Sequence, residues 1–180
     1  MPGEHRYGDE IEGGSTMTTL EEHAKRPREQ RLQHLTRTAD DLSSAVEGQS
    51  EATLCRRPDG KNWAAKEVIC HLRDTEEVFG ARMEQILAMD VDPTLVATNP
   101  DRWAEERQYL VNDVGRALTA FRQRRGETLV IFRKLTRAQW EKGAVHPTLG
   151  RIALDQFLSI MAWHDENHLD QLARALEGRA

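Results

Sequence analysis

Helical periodicity constrains this chain more than any other feature. Four stretches of its 180 residues place apolar side chains three and four positions apart, and strand-type alternation is nowhere sustained. In 28–47 the steps are Leu32, Leu35, Ala39, Leu42 and Val46, with Arg, Asp and Glu on the other face. In 62–90 they run through Val68, His71, Leu72, Thr75, Phe79, Met83 and Ile86. In 106–135 they run through Leu110, Val114, Leu118, Phe121, Leu129 and Phe132, and Arg125 and Gly126 interrupt the stripe where a break is expected. In 151–177 they run through Leu154, Phe157, Met161, His164, His168, Leu172 and Leu176. Pro27 suits a first turn, Asn62 is read as a cap, and Gly48 and Gly178 read as stops. The connections 48–61, 91–105 and 136–150 are longer than antiparallel hairpins of helices need, which points to an all-α four-helix bundle with crossovers. Thr136 and Gln139 have capping-box spacing, so the last connection opens with a helical turn.

Composition narrows the function. Charged residues make up 31 % and hydrophobic ones 38 %, as expected of helices with one wet face. No apolar run is long enough to span a membrane, and no secretory h-region opens the chain. The net charge of -5 and the absence of a basic stripe argue against nucleic acid as a partner. Two cysteines are no disulfide framework, and a cytoplasmic setting is expected. Residues 1–16 are polar and glycine-rich; a disordered tail is expected over 1–26, with Met17 a candidate natural start, and the bundle domain over 27–180.

Seven histidines remain, and three lie where imidazole is costly. His164 and His168, four apart, share one side of a helix and fall on its apolar stripe; His71 does the same on the second long helix. If those helices run antiparallel, all three reach one level of the core. Three imidazoles and an open fourth position describe a catalytic-type metal site, suited to zinc, nickel, copper or iron. The competing reading is that each is a hydrogen-bonded packing residue. Asp74 and Glu67 are placed to accept the far ring N–H of His71. The segment WHDENH is not a metalloprotease HExxH, because Asp165 stands where the glutamate should. His146, Trp63 and Trp103 are candidates for a substrate mouth or for packing; Arg122, Arg124 and Arg125 read as a solvated basic face; Cys70 points away from His71. His5, His23 and His34 receive no role.

Two patterns then become specific. Trp63, Glu67, His71, Leu72, Asp74 and Glu76 match a W-x-x-x-E-x-x-x-H-L-x-D-x-E pattern, and His146, Gly150, Leu154, His164, His168 and Gln171 match H-x-x-x-G…L…H-x-x-x-H-x-x-Q. Together they resemble the DinB-like superfamily over about 28–177. The resemblance implies a four-helix bundle of up-up-down-down connectivity and a divalent metal, zinc or nickel and in some cases iron, on His71, His164 and His168. It implies hydrolases, or transferases that use a low-molecular-weight thiol, acting on a small-molecule substrate, often as homodimers. The alternative is a non-catalytic metal-binding protein of the stress or damage response. Neither catalytic nor thiol-binding residues are named by it.

Overall fold

The computed structural model describes residues 18–180. In chain order the elements are α1 (Leu20–Lys25), α2 (Arg28–Val46), α3 (Glu51–Cys55), α4 (Ala65–Ala88), α5 (Pro100–Glu106), a 3₁₀ turn (Tyr109–Val111), α6 (Val114–Lys134), α7 (Arg137–Trp140), the strands β1 (Gly143–His146) and β2 (Gly150–Ala153), and α8 (Leu154–Glu177). The long helices α2, α4, α6 and α8 are the four periodic stretches.

Their ends differ from expectation for local reasons. Asn62 does not cap α4, because its amide and backbone N–H both bond Asp59; the Glu67 carboxylate instead accepts the Ala64 N–H at 2.9 Å. α6 starts at Val114, where Asp113 accepts from the Arg116 N–H at 2.7 Å, and runs unbroken past Arg125 and Gly126. Residues 143–153 form a two-stranded antiparallel hairpin, too short for alternation to register. Gly48 and Gly178 stop α2 and α8 with positive φ, and the Thr136–Gln139 capping box is present. Within the stretch expected as tail, α1 is an ordered helix, held by a Thr19–Glu22 capping box and by a buried His23 against α8. The tail reading over 1–17, Met17 as a start and His5 lie outside the described residues.

The four long helices form a ring in which α2 packs on α6 and α8, and α4 packs on those same two from the opposite corner. Side-chain pairs give their directions. Arg31 meets Ser159 and Thr38 meets Asp165, so α2 and α8 run parallel. Arg125 meets Glu76 and a Cβ on Gly80 would meet Thr128, so α4 and α6 run parallel. Phe79 meets Phe157 while His71 meets His164, so α4 and α8 are antiparallel. The order is therefore up-down-down-up, and the up-up-down-down order that the resemblance implied is corrected, while the bundle and the antiparallel α4–α8 pairing stand. The cause lies in the connections. Residues 47–64 cross the bundle diagonally and return antiparallel. Residues 89–113, with α5 and the 3₁₀ turn, are long enough to span the roughly 36 Å of a 24-residue helix and start α6 beside the beginning of α4.

Two apolar cores result, one at each end. Leu35, Phe79, Met83, Leu129, Phe132, Phe157 and Met161 belong to one; Leu42, Val68, Leu72, Phe121, Leu172 and Ala175 belong to the other. Each fully buried aliphatic or aromatic side chain contributes about 1.5–3 kcal/mol. Between the two cores every long helix inserts polar groups: Thr38 from α2, His71 and Glu76 from α4, Arg125 from α6, and His164 and Asp165 from α8.

Candidate metal centre

The three stripe histidines meet in this middle layer. His71 comes from the second turn of α4, and His164 and His168 from the middle of α8, one turn apart. Their ring centroids are 4.3–5.2 Å from one another, and one nitrogen from each lies within 4.8 Å of the other two. Nε2 of His71 is 3.2 Å from Nε2 of His164. Two nitrogens bound tetrahedrally to one ion at about 2.0–2.1 Å stand about 3.3 Å apart, so this spacing fits a shared ion. His71 is buried, whereas His164 and His168 remain partly open, which gives the cluster a wall and a mouth.

Electrostatics favours the ligand form of the rings. Burial holds His71 and His164 well below the ordinary imidazole range; the His168 ring adds to the effect on both, and His71 and Arg125 add to it on His164. Burial also lowers His168. All three are thus neutral near pH 7, with lone pairs to offer. His168 Nδ1 donates to Gln171 Oε1 at 2.7 Å, which fixes the proton on that nitrogen and leaves Nε2 facing the cluster. The Thr75 hydroxyl lies 3.4 Å from the His71 ring. Nδ1 of His164 is buried and has no hydrogen-bond partner among the described residues. Three neutral imidazoles with no carboxylate among them suit zinc, nickel, copper or iron.

Aromatic rings close the walls. Trp63 lies 4.9 Å from the His71 ring and stacks on His168 at 6.4 Å with 12° between planes. Phe79 meets His164 edge-on at 5.5 Å. Trp63 is therefore part of the site, whereas Trp103 lies farther out beneath the Arg107 guanidinium, 4.6 Å from its ring.

Several candidates lie elsewhere. Glu67 is taken by Arg57 and by the α4 cap, and Asp74 by Arg73, Arg107 and the Tyr109 hydroxyl, so neither supports His71. Asp165 and Glu166, beside His164, are also engaged: Asp165 with Arg125 and Thr38, Glu166 with His23, Thr18 and Arg26. Cys70 is buried, its thiol pushed up to about 11 by burial. His146 organises the hairpin turn, its Nδ1 accepting the backbone N–H groups of Thr148 and Leu149. The basic face is corrected in part. Arg122 and Arg124 pair with Asp40 and Glu77 at the surface, but Arg125 is interior, bridging Glu76 at 2.7 Å and Asp165 at 2.5 Å. The signal was present in the sequence, since Arg125 sits four residues from both Phe121 and Leu129 on one apolar stripe. The role of Gln171 as the His168 partner was likewise readable from its i+3 spacing.

Comparison with known proteins agrees with this architecture. YfiT of Bacillus subtilis (strain 168) is 24 % identical over 147 residues, 81 % of this chain and 82 % of its own, and OB0413 of Oceanobacillus iheyensis is 23 % identical over 141 residues, 77 % and 79 %. Both are named as candidate metal-dependent hydrolases. The solved structure of YfiT, described as a four-helix bundle of unusual topology, superposes with a TM-score of 0.78 at 22 % identity, covering 96 % of this chain and 95 % of that one. At that identity the superposition speaks to the fold alone. Residues 34–172 match the sequence profile of the DinB superfamily, a span that takes in α4, α6, most of α2 and α8, and the three histidines; the chain belongs to that superfamily.

Proposed function

We propose that this protein is a metal-dependent enzyme in which His71, His164 and His168 hold one divalent ion, zinc or nickel before iron, and present it to a small electrophilic substrate. The observation that supports this most is the approach of the His71 and His164 Nε2 atoms to 3.2 Å inside a cluster of neutral imidazoles. A bound ion of this kind supplies Lewis acidity, lowering the pKa of a water or thiol at its open position. The chain's own residues do the rest. Gln171 orients His168, Trp63 flanks the cluster against His71 and His168 and Phe79 against His164, and the partial exposure of His164 and His168 leaves the cluster accessible from outside.

The nucleophile we favour is a low-molecular-weight thiol. Among the described residues the carboxylates nearest in sequence to the ligands, Asp74, Asp165, Glu166 and Asp170, are all engaged in ion pairs. None is placed as a general base. A thiol with an ordinary pKa near 8.5 needs far less help to ionise than water does. Water as nucleophile is the second reading, and it accords with the names of the relatives.

Elemental analysis of the reconstituted protein tests the metal. One equivalent of zinc or nickel per chain is expected, with loss of binding in His164→Ala. A wild type that retains no stoichiometric metal, or a His164→Ala variant that binds equally well, refutes the assignment. Chelation separates an enzyme from a structural metalloprotein: the former loses activity while staying folded, the latter unfolds.

A further inference from the structure

We propose that Arg57 and Glu67 are positioning residues of the metal centre: their ion pair holds Trp63 against His71 and His168, and so sets how long a bound ion is retained. This rests on the metal-site reading above.

Trp63 lies one residue ahead of Ala64, the cap of α4, so the helix itself does not fix its place. Its indole nonetheless has a defined position, 4.9 Å from the His71 ring and stacked on His168 with 12° between planes. Two anchors hold the backbone on either side of it. Before it, Asp59 Oδ1 accepts the N–H groups of Lys61 and Asn62 at 2.7 and 2.8 Å, and Oδ2 accepts from the Asn62 amide at 2.9 Å. After it, Glu67 Oε2 accepts the Ala64 N–H at 2.9 Å. Glu67 and His71 are four residues apart on α4 and share one side of it. The chain that Glu67 holds therefore arrives one turn from the first ligand. The interval of four between Trp63, Glu67 and His71 thereby acquires a physical reason.

Arg57 closes the loop. Its Nε donates to Glu67 Oε2 at 2.8 Å and its Nη2 to Oε1 at 2.5 Å, the two-pronged geometry that locks a guanidinium to a carboxylate. One carboxylate thus grips both ends of the segment 57–64 that carries Trp63. The Glu67 side chain is 1 % exposed and that of Arg57 44 %. The pair has a dry half and a wet half, and the dry carboxylate depends on its partner for compensation. Its Oε2 is also the atom that holds the Ala64 N–H, so removing the guanidinium disturbs both anchors of the loop at once. The apolar surroundings of a metal site control the access of solvent to it. Trp63 lies against two of the three ligand rings, and an imidazole held in place rebinds the ion before water replaces it.

The experiment measures zinc release from the loaded full chain into an excess of chromophoric chelator. Arg57→Gln is expected to speed release about tenfold, the worth of a charge-assisted bond to a buried carboxylate. Trp63→Ala should speed it comparably. In the Trp63→Ala background, Arg57→Gln should add less than about twofold, because the pair acts through the indole. A purely structural role at the start of α4 would speed release in both backgrounds alike. An unchanged rate in Arg57→Gln, or an equal acceleration with and without Trp63, overturns the inference. If no metal loads, the metal reading fails separately, and the metal-free protein still tests the positioning. With 5-fluorotryptophan at its four tryptophans, the Trp63 resonance is assigned by Trp63→Phe. Arg57→Gln should move that resonance toward its solvent-exposed value and leave the other three in place. A Trp63 resonance that does not move refutes the positioning, and the same measurement decides the case if Trp63→Ala does not fold.

Discussion

Replacing Arg125 with methionine is expected to destabilise the protein more than any single change on its surface. The guanidinium donates to Asp165 through both Nη atoms, at 2.5 and 3.0 Å, to Glu76 at 2.7 Å and to the Leu35 carbonyl at 3.1 Å. Arg125 is 2 % exposed, Glu76 1 % and Asp165 0 %. Burial alone would lower the Arg125 pKa, but the two carboxylates raise it above the ordinary value, so the residue is a fixed cation at every accessible pH. Methionine keeps the stem and removes the charge, leaving two carboxylates in an apolar setting with Thr38 as the remaining side-chain donor to Asp165. Breaking a buried pair from one side costs about 3–5 kcal/mol, a large part of the roughly 5–15 kcal/mol that holds a typical domain together. Equilibrium unfolding in urea at neutral pH measures it, as a fall in midpoint at constant slope. The triple change Arg125→Met, Glu76→Gln, Asp165→Asn should recover most of the loss, since it removes the stranded charges along with their partner. A loss below about 1 kcal/mol for the single variant, the range of surface pairs, refutes the reasoning. So does a triple variant no better than the single one.

Two other outcomes follow from the same structure. Gln171→Leu removes the acceptor that fixes the His168 tautomer; zinc affinity, read by competition with a chromophoric chelator, should fall about 10- to 100-fold while the fold persists, and an unchanged affinity would exclude an orienting role. Asp74→Asn should lower stability at neutral pH by about 1–3 kcal/mol. Burial opposes ionisation of Asp74, but Arg73, Arg107 and the Tyr109 hydroxyl outweigh it and hold the carboxyl below its ordinary value. Its stabilisation is therefore complete above the ordinary aspartate range near about 3.9 and is lost as pH falls through the lower folded value. The gap between wild type and variant should close in acid unfolding curves, and a gap that widens on acidification would show that the sign is wrong.

The long helices and the meeting of His71, His164 and His168 were legible because both depend on periodicity, which survives errors of a residue or two at the ends. The antiparallel height argument needed nothing finer. What was not legible falls into two kinds. Short elements leave no periodic trace: α1 has six residues and each hairpin strand four. Helix direction is the other kind, since an apolar stripe looks the same whichever way its helix points. Arg125 belongs to neither. Its break in the α6 stripe was visible, but its meaning required pairing it with Glu76 and Asp165, which interrupt the stripes of two other helices.

The polar layer between the two apolar cores also bears on which bundle forms. Interchangeable leucine and phenylalanine stripes would pack acceptably in several neighbour orders, or slid by one turn along an adjacent helix. The layer removes that freedom. Arg125 reaches Glu76, Asp165 and the Leu35 carbonyl together only when α6 lies between α2 and α4, with α8 completing the ring, all at a single height. Every shifted or rethreaded arrangement would leave at least one charge without a counterpart in a dry interior, so the competing folds are raised in energy while the native one is left alone.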